Sequence, residues 1–472
     1  MIEKNTHIHF IGICGVAMSA LAVAFHKQGY RVTGSDKGFY PPVSTLLEEE
    51  GIQYYPGWHP EQMMAEGHPA MVIVGNVASS KNPEWLAVQE NNIPYFSYPE
   101  AIAKFFVKQT SIVCAGTYGK TTSTSLLTWI TQHAGINPSY MFGGISQNGI
   151  PAAALNNSDY SILEGDEYKS ARWDNQAKFF HYAPTHLLLT SVVWDHADVY
   201  KTEQSYIQAF ETLVSSLPKN GYLVVSEKVL KDTPEVVSNV QATLISYGTS
   251  PSLHFSYKQV TTHPDGVRFT LVHNNQEYPI HTSELGEYMA DNITGCVAMA
   301  YTLGIPIAQS IASITSFRSI KRRLEKRFSR EVQVFDDIAH SPQKAEAVLS
   351  SIKQITTGTL IAVFEPNTGN RQTEAIAGYD HRFDAADRLI IPRLSTIKQQ
   401  DGEPPAMDGN LLQTVIQKTH AGVQYIEDDS VLIETLVEQS TPGDTIIFLG
   451  SHGFRGMIEA VVEGLEKKYP IT

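Results

Sequence analysis

At 472 residues the chain exceeds what one hydrophobic core holds, and its 42% apolar and 18% charged residues predict two to four soluble globular domains. With 35 Lys+Arg against 49 Asp+Glu the net charge is −14, which disfavours a nucleic-acid partner but leaves room for a small phosphate site. The three cysteines, Cys14, Cys114 and Cys296, show no metal-ligand spacing, and neither a signal peptide nor a bilayer-length apolar run stands out. The expectation is a cytoplasmic enzyme in a reducing compartment, without membrane insertion.

The predicted elements begin with a strand at His7–Ile11, the loop Gly12-Ile13-Cys14-Gly15-Val16-Ala17-Met18-Ser19, and an apolar-periodic helix to about Lys27, ended by Gly29. A second strand, Tyr30–Gly34, delivers Ser35 and Asp36 at its carboxyl end. This is the start of a Rossmann-like βαβ unit, in which ligands bind beyond the strand ends. Gly12 and Gly15 permit close approach to a diphosphate, and Asp36 stands where such folds address a ribose hydroxyl. Two glycines are fewer than the dinucleotide fingerprint requires, so an NAD domain and a ligand-free α/β unit both fit this stretch. A third strand, Ala70–Val74, ends in Gly75-Asn76 over the same crevice.

The next apolar run, Ser111–Ala115, leads into Gly116-Thr117-Tyr118-Gly119-Lys120-Thr121-Thr122 and a helix predicted over Thr121–His133. A glycine turn between strand and helix lets backbone N–H groups face an anion, with Lys120 reaching outer phosphates and the Thr121 hydroxyl a Mg²⁺ ion. Cys114 occupies the place of the first glycine in the strict phosphate-loop pattern. Two further strands follow, Tyr160–Leu163 ending in Glu164-Gly165-Asp166-Glu167-Tyr168, and His186–Ser191 leading to Trp194-Asp195-His196-Ala197-Asp198. In a parallel sheet all three strand ends share one rim, so these clusters are expected to converge on a metal–nucleotide site. Residues from about 221 to 280 read as an antiparallel β insert covering the main sheet, and an Ala-rich helix opens near Leu285.

A basic knot, Lys321-Arg322-Arg323-Leu324-Glu325-Lys326-Arg327, marks a predicted linker. Beyond it, strands at Val332–Asp336, Leu360–Phe364, Arg388–Pro392 and Asp444–Gly450 predict a C-terminal doubly wound α/β domain. The predicted domains are 1–107, 108–321 and 322–472.

The motifs Gly-Thr-x-Gly-Lys-Thr-Thr, Asp-His-Ala-Asp, Arg-Arg-Leu-Glu and Asp-Asp-Ile-Ala-His, in this order over essentially the whole chain, resemble the Mur ligase family. The resemblance implies a Rossmann-like UDP-binding domain, a P-loop ATPase-type central domain and a C-terminal domain for the incoming amine. It implies a UDP-sugar site at Gly12, Cys14, Gly15, Met18, Ser19, Asp36 and Asn76. For ATP it points to Gly116, Thr117, Gly119, Lys120, Thr121 and Thr122, with Asn292, Arg323 and Asp337. It also implies two Mg²⁺ sites, one on Thr121 and Glu164 and one on Glu164 and His196, with His340 near the reacting phosphate, so that Lys120, Glu164, His196 and His340 form the catalytic set.

The implied chemistry is ATP-dependent amide synthesis on UDP-N-acetylmuramate through an acyl phosphate. Tyr40-Pro41-Pro42, Gly75-Asn76 and the stretch Trp173 to Tyr182 look like the branch that rejoins recycled L-Ala-γ-D-Glu-meso-diaminopimelate tripeptide. The alternative is the branch that adds a single L-alanine, and both branches lack the modified lysine that other members carry near the place of Phe210. Tyr118, Tyr288, Met289 and Ser341 depart from the family's His or Asn, which keeps a catalytically impaired binding protein open as a third reading. Arg371, just past a strand end, is the candidate clamp for the carboxylates of the amine substrate, with Arg393 and Arg455 behind it. A monomer or homodimer is expected.

Overall fold

A computed structural model describes residues 4–41, 43–195, 199–395 and 406–470, so the predicted ligand His196 lies outside the described residues. The chain divides into two compact units: 1–259 with 269–281 and 290–320, and 260–268 with 282–289 and 321–472. Each unit is built around parallel sheet.

In the first unit the strand His7–Ile11 is buried along its whole length, as expected of a parallel strand covered on both faces. Arg31–Asp36 and Met71–Val74 pair with it in parallel on either side, and Gln53–Pro56 and Tyr95–Ser97 form the two edges of a five-stranded sheet. Both edge strands are short and half-exposed, without the apolar runs that mark buried strands. The strand order reverses between His7–Ile11 and Met71–Val74, which places Gly12–Gly15 and Gly75-Asn76 at the crevice where open α/β sheets bind ligands. The helix Val16–Lys27 buries every residue from Met18 to Phe25, so it is covered all round rather than on one stripe. Its apolar side chains join one core with Val113, Leu163, Leu187 and Leu223 of the second sheet. The first two predicted domains therefore share a continuous core.

The second sheet has ten strands, with Thr110–Ala115 flanked in parallel by Tyr160–Gly165 and His186–Leu189. This order puts the carboxyl ends of these three strands side by side on one rim. The predicted antiparallel insert is confined to the later strands of this stretch, and it extends the edge of the sheet rather than covering it. Tyr222–Ser226 and Thr243–Gly248 extend the sheet edgewise in parallel, the start of Phe255–His263 still pairs in parallel with Thr243–Gly248, and only after His263 does the chain turn back on itself. The physical reason lies in Tyr222-Leu223-Val224-Val225, a continuous apolar run whose last three residues are fully buried, the mark of a parallel strand rather than a half-exposed one. The later strands Gly266–His273 and Gln276–Thr282 are joined by Asn274-Asn275, both with positive φ (50° and 61°), as a tight hairpin turn demands.

In the second unit, Gln333–Asp337, Thr445–Gly450, Leu360–Glu365, Arg388–Pro392 and Val423–Ile426 run parallel in that order, with Glu325–Ser329 antiparallel at one edge. The predicted doubly wound domain is present. The basic knot starts where the second unit resumes at Lys321, and its last residues form that edge strand. Arg322 grips Asp336 through Nε at 3.1 Å and the carbonyls of Gly450, Ser451 and His452 through its Nη atoms. Among the described residues no helix is long and apolar enough to cross a membrane.

Candidate active site

The loop after Thr110–Ala115 is shaped by two glycines that no other residue replaces. Gly116 has φ +135°, and a Cβ there would stand 2.3 Å from Thr190 Oγ1 and 2.8 Å from the Ser191 backbone. Gly119 has φ +80°, and a Cβ would lie 2.6 Å from Asn292 Oδ1, so Asn292 closes directly over the loop. Thr117 Oγ1 donates to the Val193 carbonyl at 2.8 Å, and Tyr118 N donates to Ser191 Oγ at 3.0 Å, tying the loop to the segment after His186–Leu189. The helix Lys120–His133 starts at Gly119 with no side-chain cap, which leaves its first N–H groups for an anion.

Lys120 and Thr121 each meet a carboxylate from the neighbouring strand end. Lys120 Nζ donates to both oxygens of Glu167, at 2.9 and 2.6 Å, and Glu167 is only 1% exposed. Burial opposes the lysine charge, but Glu167, Asp166 and Glu164 outweigh it, so the Lys120 pKa is raised and the ammonium is held charged. Tyr206 and Tyr200 enclose this pair, with the Tyr200 hydroxyl donating to the Glu167 carbonyl at 2.6 Å. Thr121 Oγ1 donates to Glu164 Oε1 at 2.7 Å, and the Gly143 amide donates to Oε2 at 2.6 Å. Burial raises the Glu164 carboxyl, while the Gly143 and Thr121 hydrogen bonds and Lys120 work against it.

Glu164 and the Thr121 hydroxyl thus present adjacent hard oxygens beside a phosphate loop. That suits Mg²⁺, which takes one or two carboxylates with substrate phosphates and water rather than an all-protein cage. Among the described residues no three His, Cys, Asp or Glu side chains are grouped to hold a metal. Phe210 is fully buried against Phe179 and Tyr206 and offers no ligand.

Glu164 also opens on a cavity of about 210 Å³. One wall comes from the first sheet and its helices, with Ala17, Met18, Gly75, Asn76 and Tyr98, and the other carries Gly143, Asp166, Lys178 and Tyr182. That volume suits the reacting end of a large substrate rather than a whole nucleotide sugar. The predicted residues Met18, Asn76 and Glu164 are brought together here. Gly12 (φ +88°) packs its Cα face against Val77, where a Cβ would come within 2.5 Å of Cγ1. Asp36 accepts from the Cys14 amide at 2.8 Å and fixes the loop between Gly12 and Gly15. Ser19 is buried and donates to the Val16 carbonyl at 3.0 Å, so its hydroxyl is used within the helix.

The remaining predicted residues belong to the second unit. Asp337 is buried, and its two oxygens accept from the Leu324 and Ala339 amides, each at 2.8 Å. Burial pushes its carboxyl above the ordinary range although Arg323 pulls the other way. His340 Nδ1 meets the Ile338 carbonyl at 2.7 Å, and Ser341 caps the helix Pro342–Lys353 by accepting from Lys344 N. Met289 is buried, and the Tyr288 ring covers Gly286, where a Cβ would stand 2.4 Å from it.

Arg371 is not the free strand-end guanidinium expected. It is 8% exposed, with Nε on the Met407 carbonyl at 2.8 Å and Nη1 on the Ser395 carbonyl at 2.6 Å, so it braces backbone. Arg455 clasps Asp429 with two donors at 3.0 Å each, and Arg393 reaches the same carboxylate at 2.8 Å. The sequence placed Asp166 and Glu167 in the converging acidic cluster without separate roles, and Lys178 had none. Their signal is the acidic run after Tyr160–Gly165, in which nothing local says which side chain turns toward Lys120.

Three family models match in order along the chain: "Mur ligase family, catalytic domain" over residues 7–110, "Mur ligase middle domain" over 114–300 and "Mur ligase, glutamate ligase domain" over 322–452. A UDP-N-acetylmuramate–L-alanyl-γ-D-glutamyl-meso-2,6-diaminoheptandioate ligase of Escherichia coli (strain K12) is 32% identical over 470 residues, 98% of each chain. A UDP-N-acetylmuramate–L-alanine ligase of Brachyspira hyodysenteriae is 29% identical over 460 residues, covering 95% of this chain and 96% of its own. The crystal structure of a murein peptide ligase from Psychrobacter arcticus 273-4 superposes with a TM-score of 0.71 over 99% of both chains at 24% identity, a likeness of fold.

Proposed function

The chain belongs to the Mur ligase family, and on that premise we propose that it joins the lactyl carboxylate of UDP-N-acetylmuramate to the amino group of L-Ala-γ-D-Glu-meso-diaminopimelate at the expense of ATP. One observation carries this reading: a single cavity has Met18 and Asn76 of the sugar-side sheet on one wall and Glu164 of the phosphate-loop sheet on the other. An acid held from the first wall meets a phosphoryl donor held from the second.

In this reaction a carboxylate oxygen attacks the γ-phosphorus and ADP leaves. The amine then attacks the acyl carbon, and phosphate leaves with the oxygen it acquired. Activation is needed because a carboxylate is a poor electrophile. Gly116, Gly119 and the open start of the helix Lys120–His133 direct N–H groups at the phosphates. Lys120, held charged by Glu167, stabilises the negative charge gathering on the transferring group. Thr121 and Glu164 are the residues that would hold Mg²⁺, which supplies Lewis-acid stabilisation when bound. A second Mg²⁺ site, using Glu164 and His196, remains part of the proposal.

The tripeptide is chosen over L-alanine on the 32% identical relative named for that substrate and on the Trp173–Tyr182 stretch. With equimolar tripeptide and L-alanine in one reaction, mass spectrometry is expected to find the tripeptide product in at least ten-fold excess. An excess of the L-alanine product would assign the chain to the alanine-adding reaction.

A further inference from the structure

Lys178 is the cavity residue that phosphate chemistry leaves without a task. Glu164, Asp166 and Lys178 all line the space, so two carboxylates face one ammonium, the single cation among the described lining residues. A substrate carboxylate entering there is repelled twice; Lys120 beyond the wall is clasped by Glu167, and Lys178 is the cation that faces the space. The ammonium pairs with Asp166, half-buried, and lies 5.7 Å from the centre of the Tyr168 ring. A lysine ammonium has three donors, so Asp166 orients it without exhausting it.

The segment that carries Lys178 is anchored to the sheet and helices that supply the opposite wall of the cavity. Lys169–Ala171 and Asp174–Ala177 pair as an antiparallel hairpin, and His181 Nε2 meets Asp174 at 2.8 Å. At the hairpin turn Trp173 lies flat on Trp85 of the sugar-side domain, with centroids 4.9 Å apart and planes 1° apart. Tyr95 stands edge-on to both indoles, and the Arg172 guanidinium lies 5.5 and 5.8 Å from their centres. This cluster fixes the hairpin, and Lys178 just after it, relative to Met18 and Asn76.

We propose that Lys178 receives the carboxylate of the acid substrate, with Asp166 orienting the ammonium and the Trp85–Trp173 stack holding the hairpin in place. The assignment rests on the ligase reading above and names its acid-binding residue. Its role is to place the carboxylate for attack rather than to act on phosphate.

The test is titration calorimetry of the full chain with UDP-N-acetylmuramate and with UDP-N-acetylglucosamine, the same nucleotide sugar without the lactyl carboxylate. Wild type is expected to bind the muramate at least ten-fold tighter, and Lys178→Met to lose that preference while binding the glucosamine sugar as wild type does. Trp173→Ala is expected to narrow the preference in the same direction. If Lys178→Met weakens both ligands equally, or keeps the preference, the assignment is wrong. It is also wrong if Asp166→Asn/Lys178→Met regains the preference, because Lys178 then only neutralises Asp166. A wild-type chain that binds neither sugar would overturn the ligase reading itself, and the assignment with it.

Discussion

Replacing Lys120 by alanine is expected to lower ATP-dependent ligation by about a thousand-fold, roughly 4 kcal/mol of transition-state stabilisation. The lysine supplies a positive charge that the phosphoryl group needs most as the bond to ADP breaks. The substitution has a second effect, because it leaves Glu167 buried without its ammonium partner. Removing one member of a buried pair costs about 3–5 kcal/mol of stability, whereas removing both charges is far cheaper. The two effects separate in Lys120→Met/Glu167→Gln, which is expected to unfold at a urea concentration near wild type and still fail to ligate. Near-normal turnover in the double variant would remove Lys120 from the mechanism.

Glu164→Gln is expected to raise the Mg²⁺ concentration for half-maximal rate at least ten-fold and to lower the rate at saturation about a hundred-fold. A hard divalent cation loses an anionic ligand. The introduced amide can still accept from the Gly143 amide while its NH2 donates to the Thr121 hydroxyl, so the variant removes the charge and largely keeps the loop contacts. A rate that falls without any change in Mg²⁺ dependence would make Glu164 a loop anchor and not a metal ligand. The measurement is a phosphate-release assay across Mg²⁺ concentrations at fixed ATP.

The core of this site was legible because three apolar strands each run straight into polar residues, and parallel sheets gather such ends on one rim. Gly116 and Gly119 were legible for a different reason, since a phosphate loop needs the positive φ that only glycine adopts freely. Which acid faces Lys120 was not legible. Glu164, Asp166 and Glu167 are chemically alike and near neighbours, and the turn of the backbone after Tyr160–Gly165 decides their directions. The strands Tyr222–Ser226 and Thr243–Gly248 were misread because the six-residue helix Glu227–Asp232 between them is too short to show a helical period. Arg371 was misread because a strand-end arginine looks the same whether it binds a ligand or two carbonyls. The Trp85–Trp173 stack joins residues far apart in the chain, and no local pattern announces it.

The central claim is that one cavity lets a sugar carboxylate attack a bound phosphoryl donor. It is tested most directly by following oxygen. UDP-N-acetylmuramate labelled with ¹⁸O in the lactyl carboxylate is incubated with the chain, ATP, Mg²⁺ and tripeptide, and the released phosphate is examined by mass spectrometry. The account predicts one ¹⁸O atom in each phosphate formed, because the carboxylate oxygen that attacks phosphorus departs with it when the amide forms. Unlabelled phosphate released alongside ligated product would contradict it.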